Sequence, residues 1–204
     1  MKNEPPVLSL NESINYLIER DSPAIALLKE RFPAFAVELQ PGMSMGANEA
    51  SRNDKSAFVA SLLLATLDQT QADVDEKLKL AKQTIARATA YQTWAQYLAL
   101  LMSGSTLGLI GFQLPVAAQI TSVAAVVGSL LGLASERILT VVDPAAGSYR
   151  SIFLKLIGLA EKIRALRRET LIHLDYPGSE EVLAALSGQV SVTCLEIKQL
   201  GAQL

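Results

Sequence analysis

ATAYQTWAQYLALLMSGSTLGLIGFQLPVAAQITSVAAVVGSLLGLAS, residues 88–135, contains no Asp, Glu, Lys or Arg: 48 consecutive uncharged residues in a chain of 204. A membrane-crossing helix needs about 20 apolar residues, so two spans fit, at about 94–112 and 116–135. Gln113-Leu114-Pro115 reads as the connection. Proline is tolerated early in the second helix and disfavours helix at the residue before it.

Working outward, the charge is segregated. Residues 1–76 carry six basic and twelve acidic groups. Lys77, Lys79, Lys82 and Arg87 then follow with no acid among them. Beyond the tract stand Glu136, Arg137 and Asp143, and residues 144–170 hold six basic groups against two acidic ones. Basic flanks and an uncharged turn place both termini in the cytoplasm, by the preference of Lys and Arg for that side. Tyr91, Trp94 and Tyr97 recur at the entry to the first span, where interfacial aromatics belong. With Arg87 and Arg137 they are the expected membrane-interface anchors. The expected location is the cell inner membrane, with the chain crossing more than once.

Composition agrees with a helical membrane protein. Half of the residues are hydrophobic, 19% are charged and mean hydropathy is +0.28, against about 25% charged in an ordinary soluble domain. Ala and Leu, both good helix formers, supply much of the apolar content. The net charge of −2 offers no global attraction to nucleic acid. One Cys (Cys194) and one His (His173) leave no Cys/His zinc site; Cys194 reads as a core residue and His173 as a solvated or interfacial one. There is no phosphate loop, dinucleotide fingerprint or metal-ligand cluster. Neither an enzyme nor a cofactor is expected. MKNEPPVLSLNES has no apolar signal-peptide core.

The expected fold class is all-α: a two-helix transmembrane hairpin with heptad-patterned cytoplasmic extensions and a small N-terminal helical region. Residues 1–70 form that acidic region. Ser9 and Glu12 have capping-box spacing, Asp21-Ser22-Pro23 opens a second helix, and Pro33 should bend or divide it. Residues 40–53 read as a polar loop. Phe58 to Leu67 is too short to span and reads as a core helix. Residues 71–174 make the central region. Val74, Leu78, Ala81, Ile85 and Ala88 form a heptad seam leading into the first span. Asp143-Pro144 breaks the chain, and Ile152, Leu156, Leu159, Ile163 and Leu166 repeat the spacing. The two seams are expected to pack on each other or against the N-terminal helices. Residues 175–204 form a last helix capped by Ser179, with Leu183, Leu186, Val190, Ile197 and Leu200 on its apolar side.

Small residues recur in both spans. Gly104 and Gly108 in the first, and Gly128 and Gly132 in the second, have the spacing that lets membrane helices approach closely. Gln92, Gln96, Ser103 and Thr106 share one face of the first helix; Ser122, Ala125 and Ser129 share one face of the second. Such stripes line a water path in ring-forming subunits, or they hold helices together and bond their own carbonyls. One hairpin encloses no channel, so a pore requires a homo-oligomer. No ionisable group lies deep in either span, which argues against a pump. KIRALRR, residues 162–168, has anionic headgroups as its simplest partner.

A basic helix (KLKLAKQTIARATAYQTW), a two-span hairpin and a following heptad helix (FLKLIGLAEKIRALRRETL) together resemble the bacterial SLATT-type two-transmembrane proteins, over roughly Ala72 to Leu174. The resemblance implies an effector of bacterial conflict or antiphage defence, acting on the membrane when a cytoplasmic sensor is triggered. The expected partners are thus the lipid bilayer, further copies of the chain and such a sensor. Two alternatives stand beside the effector: a membrane-anchored scaffold for a cytoplasmic partner, and a soluble colicin-like bundle with a buried hydrophobic hairpin.

Overall fold

A computed structural model describes residues 10–20, 22–40, 52–111, 115–140, 149–175 and 180–201. The side chains of 52–53, 106–111, 115 and 134–140 are outside that description. Every described element is helical: α1 (Asn11–Glu19), α2 (Pro23–Arg31), a 3-10 turn (Pro33–Phe35), α3 (Arg52–Gly111), α4 (Pro115–Thr140), α5 (Tyr149–Asp175) and α6 (Glu180–Gly201). The class is all-α. Ser9, Gln113-Leu114, Asp143-Pro144 and Ser179, read above as caps, turn and breaker, lie outside the described residues.

The chain divides into two compact units. One comprises residues 1–77 and 156–202 with 204; the other comprises 78–155 with 203.

The first unit is built from local signals and then from packing. Leu10 occupies the N-cap of α1 and gives it no side-chain cap. The Ser22 hydroxyl accepts from the Ala24 N–H at 3.4 Å, with Pro23 in the first turn of α2. That helix stops at Phe32, because Pro33 disfavours helical backbone at the residue before it. The 3-10 turn carries Phe35 onto Phe58 of α3, stacked at 4.5 Å between ring centroids. Phe32 meets the same ring edge-on at 5.5 Å.

The FVASLLLATL segment is no separate helix. Nothing between Leu67 and Ala72 breaks the backbone, since DQTQ has neither Pro nor Gly, and α3 runs through. Phe58, Leu62, Leu63 and Leu67 are fully buried. In α5, Leu156, Leu159, Ile163 and Leu166 are buried, and Arg167 Nε reaches Asp68 Oδ1 of α3 at 2.7 Å. His173 continues that face, three residues after Thr170 and seven after Leu166. It is therefore buried rather than solvated, and burial lowers its pKa.

α6 sets Leu183, Leu186, Val190, Cys194 and Ile197 into the core. This packing overrides the weak helix preference of its β-branched residues. Burial pushes the Cys194 thiol up to about 12, so it stays protonated. Lys162–Glu196 at 3.1 Å and Lys198–Glu19 at 2.8 Å decorate the surface of α6, where such pairs contribute about 0–1 kcal/mol each.

The polar centre of this unit is Asp73 of α3. It accepts a hydrogen bond from the Tyr16 hydroxyl, pairs with Arg20 Nε at 2.9 Å and accepts from Gln69 Nε2 at 3.3 Å. Burial, then the Asp73 bond, raise the Tyr16 pKa, so the phenol remains a donor.

Candidate functional site

The second unit holds the uncharged tract. α3 enters it at Leu78 and buries Ala81, Ala88 and Ala95, with Ile85, Gln92, Ala99 and Met102 half-buried between and beyond them. The 4,3 alternation seen before the span thus continues into it. On α4 the matching stripe is Ala118, Thr121, Ala125, Gly128 and Gly132, with Ala118 and Gly128 the most buried.

Small side chains on both sides let the two backbones approach. A Cβ added at Gly128 would lie 3.4 Å from both the Ala95 carbonyl oxygen and the Ala99 nitrogen. One added at Gly132 would lie 3.8 Å from the Ala95 Cβ. Gly128 therefore sits against the backbone of Ala95 and Ala99, with the Leu98 Cδ2 at 3.5 Å beside them. The alanines at 95 and 99 escaped the sequence reading because alanine is unremarkable in any helix. Their signal was the heptad register of the upstream seam, carried two turns further.

Gly128→Leu is expected to force the pair apart at a cost of about 1–3 kcal/mol. Gly104→Leu is the control: Gly104 is exposed and an added Cβ meets nothing within 4 Å. Thermal unfolding of the purified protein, followed by circular dichroism, should show a lower midpoint for the first variant only.

Beside the seam, α3 and α4 border an open groove of about 880 Å³, with Gln92, Gln96, Ser103, Ser122 and Ser129 among its lining residues. Both polar stripes thus reach one groove. Two of its hydroxyls bond their own helix: Ser103 donates to the Leu100 carbonyl at 3.0 Å and Ser129 to that of Ala125 at 2.9 Å. The side chains of Thr106 and Arg137, and the surroundings of Gly108, lie outside the described residues.

The faces turned away from the seam are apolar and open. On α3, Tyr91, Trp94 and Tyr97 are 70%, 74% and 62% exposed, next to an exposed Arg87. Leu100 and Leu101 follow. On α4, Val116, Ile120, Val123, Val127 and Leu130 recur every three or four residues, all exposed. Each such side chain left in water forgoes about 1.5–3 kcal/mol of burial. Within its own unit, the outward side of α4 is left uncovered among the described residues.

Among the described residues, α4 alone is long and apolar enough to cross a membrane. Its window Val116–Leu133 has a mean hydropathy of 1.8, with 11% of it buried. The expected first span, 94–112, is diluted by Gln96, Tyr97, Ser103 and Ser105, and its apolar end lies beyond the described side chains. No family model, curated protein or solved structure matches the chain.

Proposed function

We propose that this chain is a bacterial inner-membrane protein whose hairpin, about 94–112 and 116–135, lies in the bilayer with both termini cytoplasmic. Its copies associate and permeabilise the membrane. The observation that carries the reading is the exposed apolar surface of α4, continued by Tyr91 to Leu101 of α3, without a charge between Arg87 and Glu136. Such a surface has lipid or another copy of the chain as its natural solvent. In the defence reading that the SLATT resemblance implies, the trigger comes from a cytoplasmic sensor.

A second reading, a membrane-anchored scaffold, draws on the hydroxyls of the groove. Ser103 and Ser129 spend their protons on their own helix, the form such residues take when they face lipid or a neighbouring helix rather than water.

Carbonate extraction of membranes, followed by dye release from reconstituted vesicles, tests both. Membrane residence predicts a carbonate-resistant pellet, and extraction into the supernatant would refute it. A pore predicts release that Ser103→Leu with Ser129→Leu suppresses. Sealed vesicles from inserted protein leave the scaffold.

A further inference from the structure

α3 carries a second open feature on the side away from its seam. A shallow trough of about 590 Å³ is lined by Ala86, Thr89, Ala90, Thr93, Trp94 and Tyr97. Helical spacing aligns it with the cations upstream. Lys82, Ala86, Thr89 and Thr93 follow one another at steps of four, three and four residues, and Arg87, Tyr91 and Trp94 at four and three. Lys79, Lys82 and Arg87 are exposed. No carboxylate side chain occurs between Glu76 and Glu136 to neutralise them.

The trough itself is apolar in character. Thr89 donates to the Ile85 carbonyl at 2.8 Å and Thr93 to that of Thr89 at 2.9 Å, so neither hydroxyl proton is offered outward. What remains is a furrow of methyl groups, with cations at one end and two amphipathic rings at the other. Arg87 and Trp94 are about 10 Å apart along the axis at 1.5 Å per residue. That spacing holds a phosphate at the cations while the indole stands at the acyl boundary.

We infer that this face of α3 is a binding site for an anionic phospholipid. Lys82 and Arg87 take the headgroup phosphate, and the first part of one acyl chain lies along Ala86, Ala90 and Thr93 against Trp94 and Tyr97. The inference rests on the membrane reading above and adds lipid selectivity to it. Zwitterionic lipid has the same tail, so charge complementarity is what selects among headgroups.

Trp94 is the only tryptophan, and its fluorescence reports on its own neighbours. The full chain is reconstituted in vesicles of phosphatidylcholine containing either brominated phosphatidylglycerol or brominated phosphatidylcholine at equal mole fraction. The anionic lipid is expected to be enriched at Trp94 by about fivefold per cation, an excess that added salt reduces. Lys82→Gln with Arg87→Gln removes the excess and leaves quenching by the zwitterionic lipid. Lys29→Gln with Arg31→Gln, which removes the same charge from exposed positions of α2, keeps it. Equal quenching by the two lipids, or an excess that survives the α3 pair, overturns the site while the membrane reading stands. Absence of quenching by either lipid overturns the membrane reading and the site together.

Discussion

Val123→Asp combined with Val127→Asp should drive the protein out of the carbonate-resistant membrane fraction. Both valines lie near the middle of the apolar window of α4, and both are exposed, at 64% and 49%. Their replacement disturbs little packing within the chain, so the change reports on what lies outside it. A carboxylate at the centre of a spanning helix costs about 2.5–3.5 kcal/mol. Two of them shift the partition by roughly four orders of magnitude. The sign is what decides. If water were the solvent of this face, the same substitutions would improve solubility and leave stability near its starting value. Leu27→Asp supplies the comparison, since Leu27 of α2 is 65% exposed in the other unit and should leave membrane association unchanged.

Asp73→Ala is expected to destabilise the first unit by about 3 kcal/mol. The carboxylate is buried and receives three donors: Tyr16 of α1, Arg20 at the C-cap of α1 and Gln69 of its own helix. Its loss leaves the buried Tyr16 hydroxyl without its acceptor, and it removes the polar anchor that holds α1 to α3. Tyr16→Phe takes away one donor and leaves the acceptor its other two, so about 1 kcal/mol is expected. Because both changes act on one bond, their combination should cost less than the sum. Denaturant unfolding of the three variants measures the coupling. An additive result would show that Tyr16 and Asp73 contribute independently.

The hairpin and the bundle were legible to different depths. The uncharged tract, the helical class, the break at Pro33, the start of α2 at Ser22-Pro23 and the buried side of α6 are written in local chemistry. A cap, a proline or a 3.6-residue period acts within a few residues of itself. The polar stripes were also visible, and the structure brings Gln96, Ser103, Ser122 and Ser129 to one groove. Choosing among the small residues was not possible from spacing. Gly104 and Gly128 look alike in the chain, yet one faces open space and the other meets the backbone of Ala95 and Ala99. Glycine marks where a helix can be approached, and only the partner's position says whether it is.

By itself, then, the sequence determined that the chain is helical, that a quarter of it is stripped of charge, and which faces of its helices are apolar. Tertiary structure decided what those faces meet. It carried α6 and most of α5 into the same unit as α1, set His173 inside and paired Tyr16 with Asp73. Within the second unit it also left the outward side of α4 uncovered among the described residues. The physical reason is one of range. Backbone propensity and side-chain periodicity are properties of neighbours along the chain, whereas the partner of an apolar face, or of a buried carboxylate, is chosen by residues far away in sequence.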